Sequence, residues 1–288
     1  MPNMPPSRSA DFSKVLERVR KVREQYESSS SQYENFLVYG HFGTGKTTLS
    51  TTCPRPVFID CFDRGGTKTR ALQPLIESGD IIVDNRWEDD SWKDPWAFRE
   101  WEREMRRRES EGFFNHIGTY MLDSITSWSE SMMYEILKVG DGKTGSRKGQ
   151  IPQLQDYLKQ QLTAVDWLGV MAGYNCHVVV TGHIGIDKDE VTGKMVTGLL
   201  LWGKLAIKVP NVFDEKYVTR VVNDQYVLQT RKEGIYQAET RMGGGIFNTF
   251  EEPNIKKLLE KAGRSFDDKP PLIDSIEDKE VENDQPEE

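Results

Sequence analysis

The stretch Gly40-His41-Phe42-Gly43-Thr44-Gly45-Lys46-Thr47 constrains this chain more than any other. It fits GxxxxGK[ST] and stands between an apolar run, FLVY (36–39), and a plausible helix, TTLSTT. Glycines let the backbone wrap tightly, so that successive amides and the following helix N-terminus point at one anion. Lys46 brings a point positive charge to the β and γ phosphates of a nucleotide, and the Thr47 hydroxyl can ligate Mg2+. Residues Gly40 to Thr48 are therefore read as a phosphate cradle.

From Phe36 onward, short apolar runs alternate with helical stretches, the pattern of an α/β chain with a mostly parallel sheet and crossover helices. Strands are expected at 36–39, 56–60, 119–123, 177–182, 217–222 and 226–230. The first four are nearly continuous in apolar residues, as strands covered on both faces should be. The last two alternate more and meet at Asn223-Asp224, which predicts an antiparallel edge hairpin. Asp94-Pro95 starts a helix with Phe98, Trp101 and Met105 on one face, and Arg106 to Arg108 near its end read as solvated. The cluster Trp87, Trp92, Trp96 and Trp101 reads as packing rather than a base-stacking platform. A last helix is expected over 253–262.

A phosphate loop needs a carboxylate at a neighbouring strand end to hold magnesium through water, and TYMLD supplies Asp123, with Ser124 after it. An Asp ending a strand is ordinary turn chemistry by itself; the loop upstream is what favours the metal role. Hydrolysis further requires a group that orients or deprotonates water, and FIDCFDRGG offers Asp60 and Asp63. The sequence leaves open which of them acts. Thr181 and His183, ending the fourth predicted strand, are expected beside the γ phosphate, with His183 either sensing the nucleotide or serving the fold alone.

The 288 residues carry a net charge of -8, unevenly spread. From Asp267 to Glu288 there are ten acids against Lys269 and Lys279, so residues 1 to 266 balance at zero. A disordered acidic tail is expected over 267–288 and a core over 36–266. Ahead of the core, residues 1–35 form an N-terminal segment: Phe12, Val15, Val19, Val22 and Tyr26 mark an amphipathic helix, and Ser28 to Ser31 a linker. That helix packs on its own domain or docks on a neighbouring subunit. Cys53, Cys61 and Cys176 lie far apart without a CxxC, so a reducing cytoplasm, with neither disulfides nor a zinc cluster, is the expectation. No apolar run approaches the roughly 18 residues that cross a bilayer, and MPNMPPSRSA lacks a signal-peptide core, so no membrane association is expected.

Taken in order, FLVYGHFGTGKTT, PVFID, TYMLDSITSW, HVVVTGH, LLWGKLAIKVPNVFDEKYV and YQAETRMGG resemble the RecA-like P-loop ATPases of bacteriophages, in particular the core-only recombination ATPases associated with single-strand annealing. The resemblance covers about Phe36 to Phe266. It implies a RecA-like core, ATP with Mg2+, assembly into rings or filaments, single-stranded DNA as partner, and work beside a single-stranded-DNA-binding or replication protein in the host cytoplasm. Lys46, Asp63 and Asp123 become the implied catalytic set, Thr47 and Asp123 the metal set, and His183 a nucleotide contact. One departure stands out: such proteins place a Glu just after the second strand, whereas this chain reads Asp60-Cys61-Phe62-Asp63, which leaves slow or absent hydrolysis open. DNA-binding loops are implied at Val139 to Gln150, with Lys143, Arg147 and Lys148, and at Ile184 to Gly203, with Lys188 and Lys194. Arg231, Lys232 and Arg241 are the candidates for completing a neighbour's site. The rivals are an ATP-driven switch or loader acting on a replication protein, and a small-molecule kinase, the latter disfavoured because no Arg-rich lid segment is present.

Overall fold

The structure, a computed structural model, describes residues 8–29, 33–139, 145–188, 193–243 and 245–272. The chain divides into two compact units between Tyr33 and Glu34. The first holds one helix, α1 (Arg8–Ser29). Its apolar stripe, Phe12, Val15, Leu16, Val19 and Val22, is exposed.

The second unit starts with β1 (Asn35–Gly40), β2 (Val57–Cys61), α2 (Gln73–Glu77), β3 (Ile81–Asp84), α3 (Ala97–Ser110) and β4 (Thr119–Asp123). It continues through α4 (Ile125–Val139), α5 (Leu154–Met171), β5 (His177–Lys188), β6 (Met195–Leu199) and α6 (Leu205–Lys208). It closes with β7 (Glu215–Val222), β8 (Gln225–Gln229), β9 (Glu239–Thr240), β10 (Phe250–Glu251) and α7 (Ile255–Lys261). The strand order is β10-β8-β7-β1-β5-β4-β2-β3, and the stretch from β7 to β3 is parallel throughout. The antiparallel edge hairpin β7–β8 turns at Asn223 (φ 50°) and Asp224 (φ 61°), the left-handed pair that a tight hairpin demands.

The apolar runs are continuous because both faces of the sheet are covered. Leu37, Tyr39, Tyr120, Leu122, Val178 and Val180 face α3, α4 and α5, whereas Phe36, Val38, Val57, Ile59, Met121 and Val179 face Leu49 and α7. Burying each such side chain stabilises by about 1.5–3 kcal/mol.

Four local expectations are revised. TTLSTT forms 3-10 helix over Thr47–Thr52 rather than α-helix. Ser50, Thr51 and Thr52 donate their hydroxyls to carbonyls three residues back, and Cys53-Pro54 stops further winding. Arg108 is buried, not solvated: it pairs with Asp60 at 2.9 Å and Asp84 at 2.8 Å and lies 4.4 Å above the Phe58 ring. Of the tryptophans, Trp87 and Trp101 are packed, while Trp92 and Trp96 are exposed. The acidic segment does not leave the core at Asp267. Asp268 accepts from the Arg55 amide at 2.6 Å and from Lys256, the Lys269 amide donates to the Arg55 carbonyl, and Leu272 packs on the core; the remainder of the tail lies outside the described residues. Among the described residues, no helix is long and apolar enough to cross a membrane.

Candidate nucleotide site

In parallel sheets, ligands sit beyond the carboxyl ends of the strands. The register aligns five strands there: Gly40, ending β1, is level with His183 on β5 and Thr219 on β7, and Asp123, ending β4, is level with Cys61, ending β2. Above them opens a cleft of about 1140 Å³, lined by Phe42 to Leu49, Asp63, Ser127, Glu130 and His183 among others.

The phosphate loop is shaped by Gly43 (φ 75°) and Gly45 (φ 89°), a conformation that residues with a Cβ rarely adopt. Gly40 has no room for a side chain, since an added Cβ would lie 2.2 Å from Thr219 Oγ1. Gly40 and exposed His41 do not line the cleft; they contribute carbonyls, which accept from Lys46 Nζ at 3.2 and 3.0 Å. The ammonium is thereby held across the loop, and Lys46 as a residue is 8% exposed. Burial pushes its pKa down, and the charges of Asp123 and Asp63 push it back up in part.

Thr47 Oγ1 donates to Asp123 Oδ2 at 2.7 Å, and Thr181 donates to Asp123 Oδ1. Burial and the nearby Asp63 charge raise the Asp123 carboxyl above its usual range, against the lowering effect of Thr181, Thr47 and Lys46. No cluster of three or more His, Cys, Asp or Glu side chains able to hold a metal occurs among the described residues. One hydroxyl joined to one carboxylate is a donor set that suits Mg2+ arriving with phosphate oxygens and water, not a metal caged by protein. Thr47 and Asp123 would hold it.

Asp60 and Asp63 are separated by the end of β2. Asp60 is fully buried and accepts from the indoles of Trp87 (2.9 Å) and Trp101 (3.0 Å), from Tyr120 Oη (2.7 Å) and from Arg108. It belongs to the core and does not line the cleft. Asp63 does line it. Its Oδ1 accepts from Ser124 (2.8 Å) and Ser127 (2.5 Å), and its Oδ2 from His183 Nε2 (2.9 Å). Burial raises its pKa, but the His183, Ser127 and Ser124 hydrogen bonds outweigh that and hold the carboxyl below its usual range.

Several lining groups went unnoticed in the sequence. On α4, Ser127, Glu130, Ser131 and Tyr134 follow the i, i+3, i+4, i+7 spacing of one helix face, a signal that was legible. Glu88 reaches the wall from the 3-10 turn after β3, where its Oε2 accepts from the Gly65 amide at 3.1 Å. Tyr226, half-exposed at the start of β8, stands 3.6 Å from where a Gly45 side chain would begin, and Pro253 lines the same cleft.

The expected cationic groups are dispersed. Arg147 is buried and paired with Asp156 at 2.9 Å, Lys148 reaches Asp94 at 3.4 Å, and Lys143 lies outside the described residues. Lys188 ends β5 and Lys194 directly precedes β6. Arg231, Lys232 and Arg241 do not line the cleft; Arg241 sits beside Asp214, which directly precedes β7.

The family model described as an AAA domain matches residues 33–242, most of the chain and every group of the cleft except Pro253. The chain belongs to this AAA domain family. The AAA domain thus covers both the phosphate loop and Asp123, and the fold is the α/β P-loop core expected from the sequence. The crystal structure of the flagellar accessory protein FlaH from Methanocaldococcus jannaschii is similar with a TM-score of 0.36 at 10% identity, covering 76% of this chain and 84% of that one. No curated protein matches the chain.

Proposed function

We propose that this AAA domain hydrolyses ATP with Mg2+ and, assembled as a ring or filament, uses the cycle to bind single-stranded DNA in recombination or annealing during phage replication. The observation that carries the ATPase reading is the Thr47–Asp123 hydrogen bond at 2.7 Å, set in one cleft with Lys46, Asp63 and His183. Lys46 has carbonyl partners to exchange for β and γ phosphate oxygens. Mg2+ on Thr47 and Asp123 neutralises charge developing on those oxygens when bound. The half-exposed Tyr226 ring and Pro253 offer an apolar wall suited to a nucleobase.

Single-stranded DNA is supported by the sequence resemblance and by the path of β5. That strand runs from His183, bonded to Asp63, into the hairpin with β6, so a shift at the nucleotide's end reaches the hairpin through continuous backbone. The phage setting rests on the resemblance alone. A loader acting on a protein is favoured by one observation, the exposed row Leu154, Leu158 and Leu162 on α5, with Leu154 86% exposed.

Phosphate release measured with and without single-stranded DNA tests both. Lys46→Ala should reduce turnover to background with the fold retained, and normal turnover in this variant would refute the phosphate-loop role. DNA stimulation that fades steeply with salt supports the DNA reading, whereas turnover indifferent to DNA supports the loader.

A further inference from the structure

Asp63 is poorly suited to take a proton. Three donors already occupy its two oxygens: Ser124 and Ser127 on Oδ1 and His183 on Oδ2. Glu130 is placed otherwise. It lies one helical turn beyond Ser127 on the face of α4 that lines the cleft, in the electrostatic reach of both Asp63 and His183. Its carboxylate makes no hydrogen bond among the described residues, so both oxygens are free to receive one. Burial and the Asp63 charge push its pKa up, against a smaller lowering by His183, which strengthens it as a base.

We propose that Glu130 is the proton acceptor for the water that attacks the γ phosphate, with Asp63 acting as a positioning residue that fixes His183, Ser124 and Ser127. The assignment rests on the ATPase reading above. As the water oxygen bonds to the γ phosphorus, one water proton passes to a Glu130 oxygen. The bond from that phosphorus to the β–γ bridging oxygen breaks, and its electron pair leaves with ADP. Glu130 then returns the proton to phosphate or solvent. The carboxylate thus comes from the helix after Asp123, not from the end of the second strand, where the sequence lacks Glu.

The test compares full-length wild type, Lys46→Ala, Glu130→Gln and Glu130→Asp by phosphate release and by binding of a fluorescent ATP analogue. Melting curves check each fold. Glu130→Gln should lower kcat about 10²- to 10⁴-fold with nucleotide affinity near wild type, and Glu130→Asp, which keeps a carboxylate, should lose less. Turnover of Glu130→Gln close to wild type overturns the assignment and leaves the ATPase reading intact. Equal losses in the Gln and Asp variants mark a role in shape and overturn it too. A wild type that binds the analogue but releases no phosphate overturns the hydrolysis reading and the assignment with it.

Discussion

Asp60 and Asp63 stand three residues apart in the chain and do opposite work. Asp60 projects from β2 toward α3 and meets four donors there, whereas Asp63 lies just past the strand end and faces the cleft. Sequence alone could not separate them, because the difference depends on where β2 stops and on indoles from Trp87 and Trp101 that are distant in the chain. The same holds for Arg108, whose two neighbours Arg106 and Arg107 are exposed as expected. Arg108→Met should therefore be costly, since it leaves Asp60 buried without its cation and leaves Asp84 with Arg86 alone. Breaking a buried pair costs about 3–5 kcal/mol, and the loss should appear in urea unfolding at neutral pH. A loss under about 1 kcal/mol would mean that the pair is dispensable to the core.

At the scale of elements, the strands were legible where apolar residues run unbroken, because only a strand covered on both faces needs them. TYMLD matches β4 residue for residue. β3 was missed because IIVD is four residues long and carries no periodicity to count. The start of β5 shows what ties the elements together beneath the sheet. His177 Nδ1 accepts from the Glu34 amide at 3.1 Å and its Nε2 faces the Ser265 carbonyl, so one neutral imidazole joins the chain before β1 to the chain after α7. Burial pushes the His177 pKa down to about 4 from 6.5. Between those values the unfolded chain binds more protons than the folded one, so stability should rise from pH 4 to 6.5 and fall on acidification through the same window. His177→Gln should flatten that stretch of a chemical-denaturation profile. An unchanged slope would place the pH dependence elsewhere.

At the scale of the whole molecule, charge is the property that the core shares least with its end. Residues 273–288 hold eight acids against Lys279, while Asp267 to Leu272 are fastened to the core through Arg55 and Lys256. Two truncations should therefore differ. Removal from residue 267 takes away Asp268, Lys269 and Leu272 with their contacts and should lower the melting temperature more than removal from residue 273, which keeps those contacts. The second truncation removes eight acids and Lys279 while those contacts stay in place. A tethered polyanion imitates a phosphate backbone at high effective concentration and would compete with nucleic acid for the basic residues flanking β5 and β6. On the single-stranded-DNA reading proposed above, deletion of 273–288 should strengthen that binding most near 0.01 M salt, where the Debye length is about 30 Å, and least near 0.15 M, where it is about 8 Å. Equal binding by truncated and full-length protein across that range would exclude competition by the tail. A gain that persists unchanged at high salt would point to steric hindrance, because contact exclusion is not screened by ions.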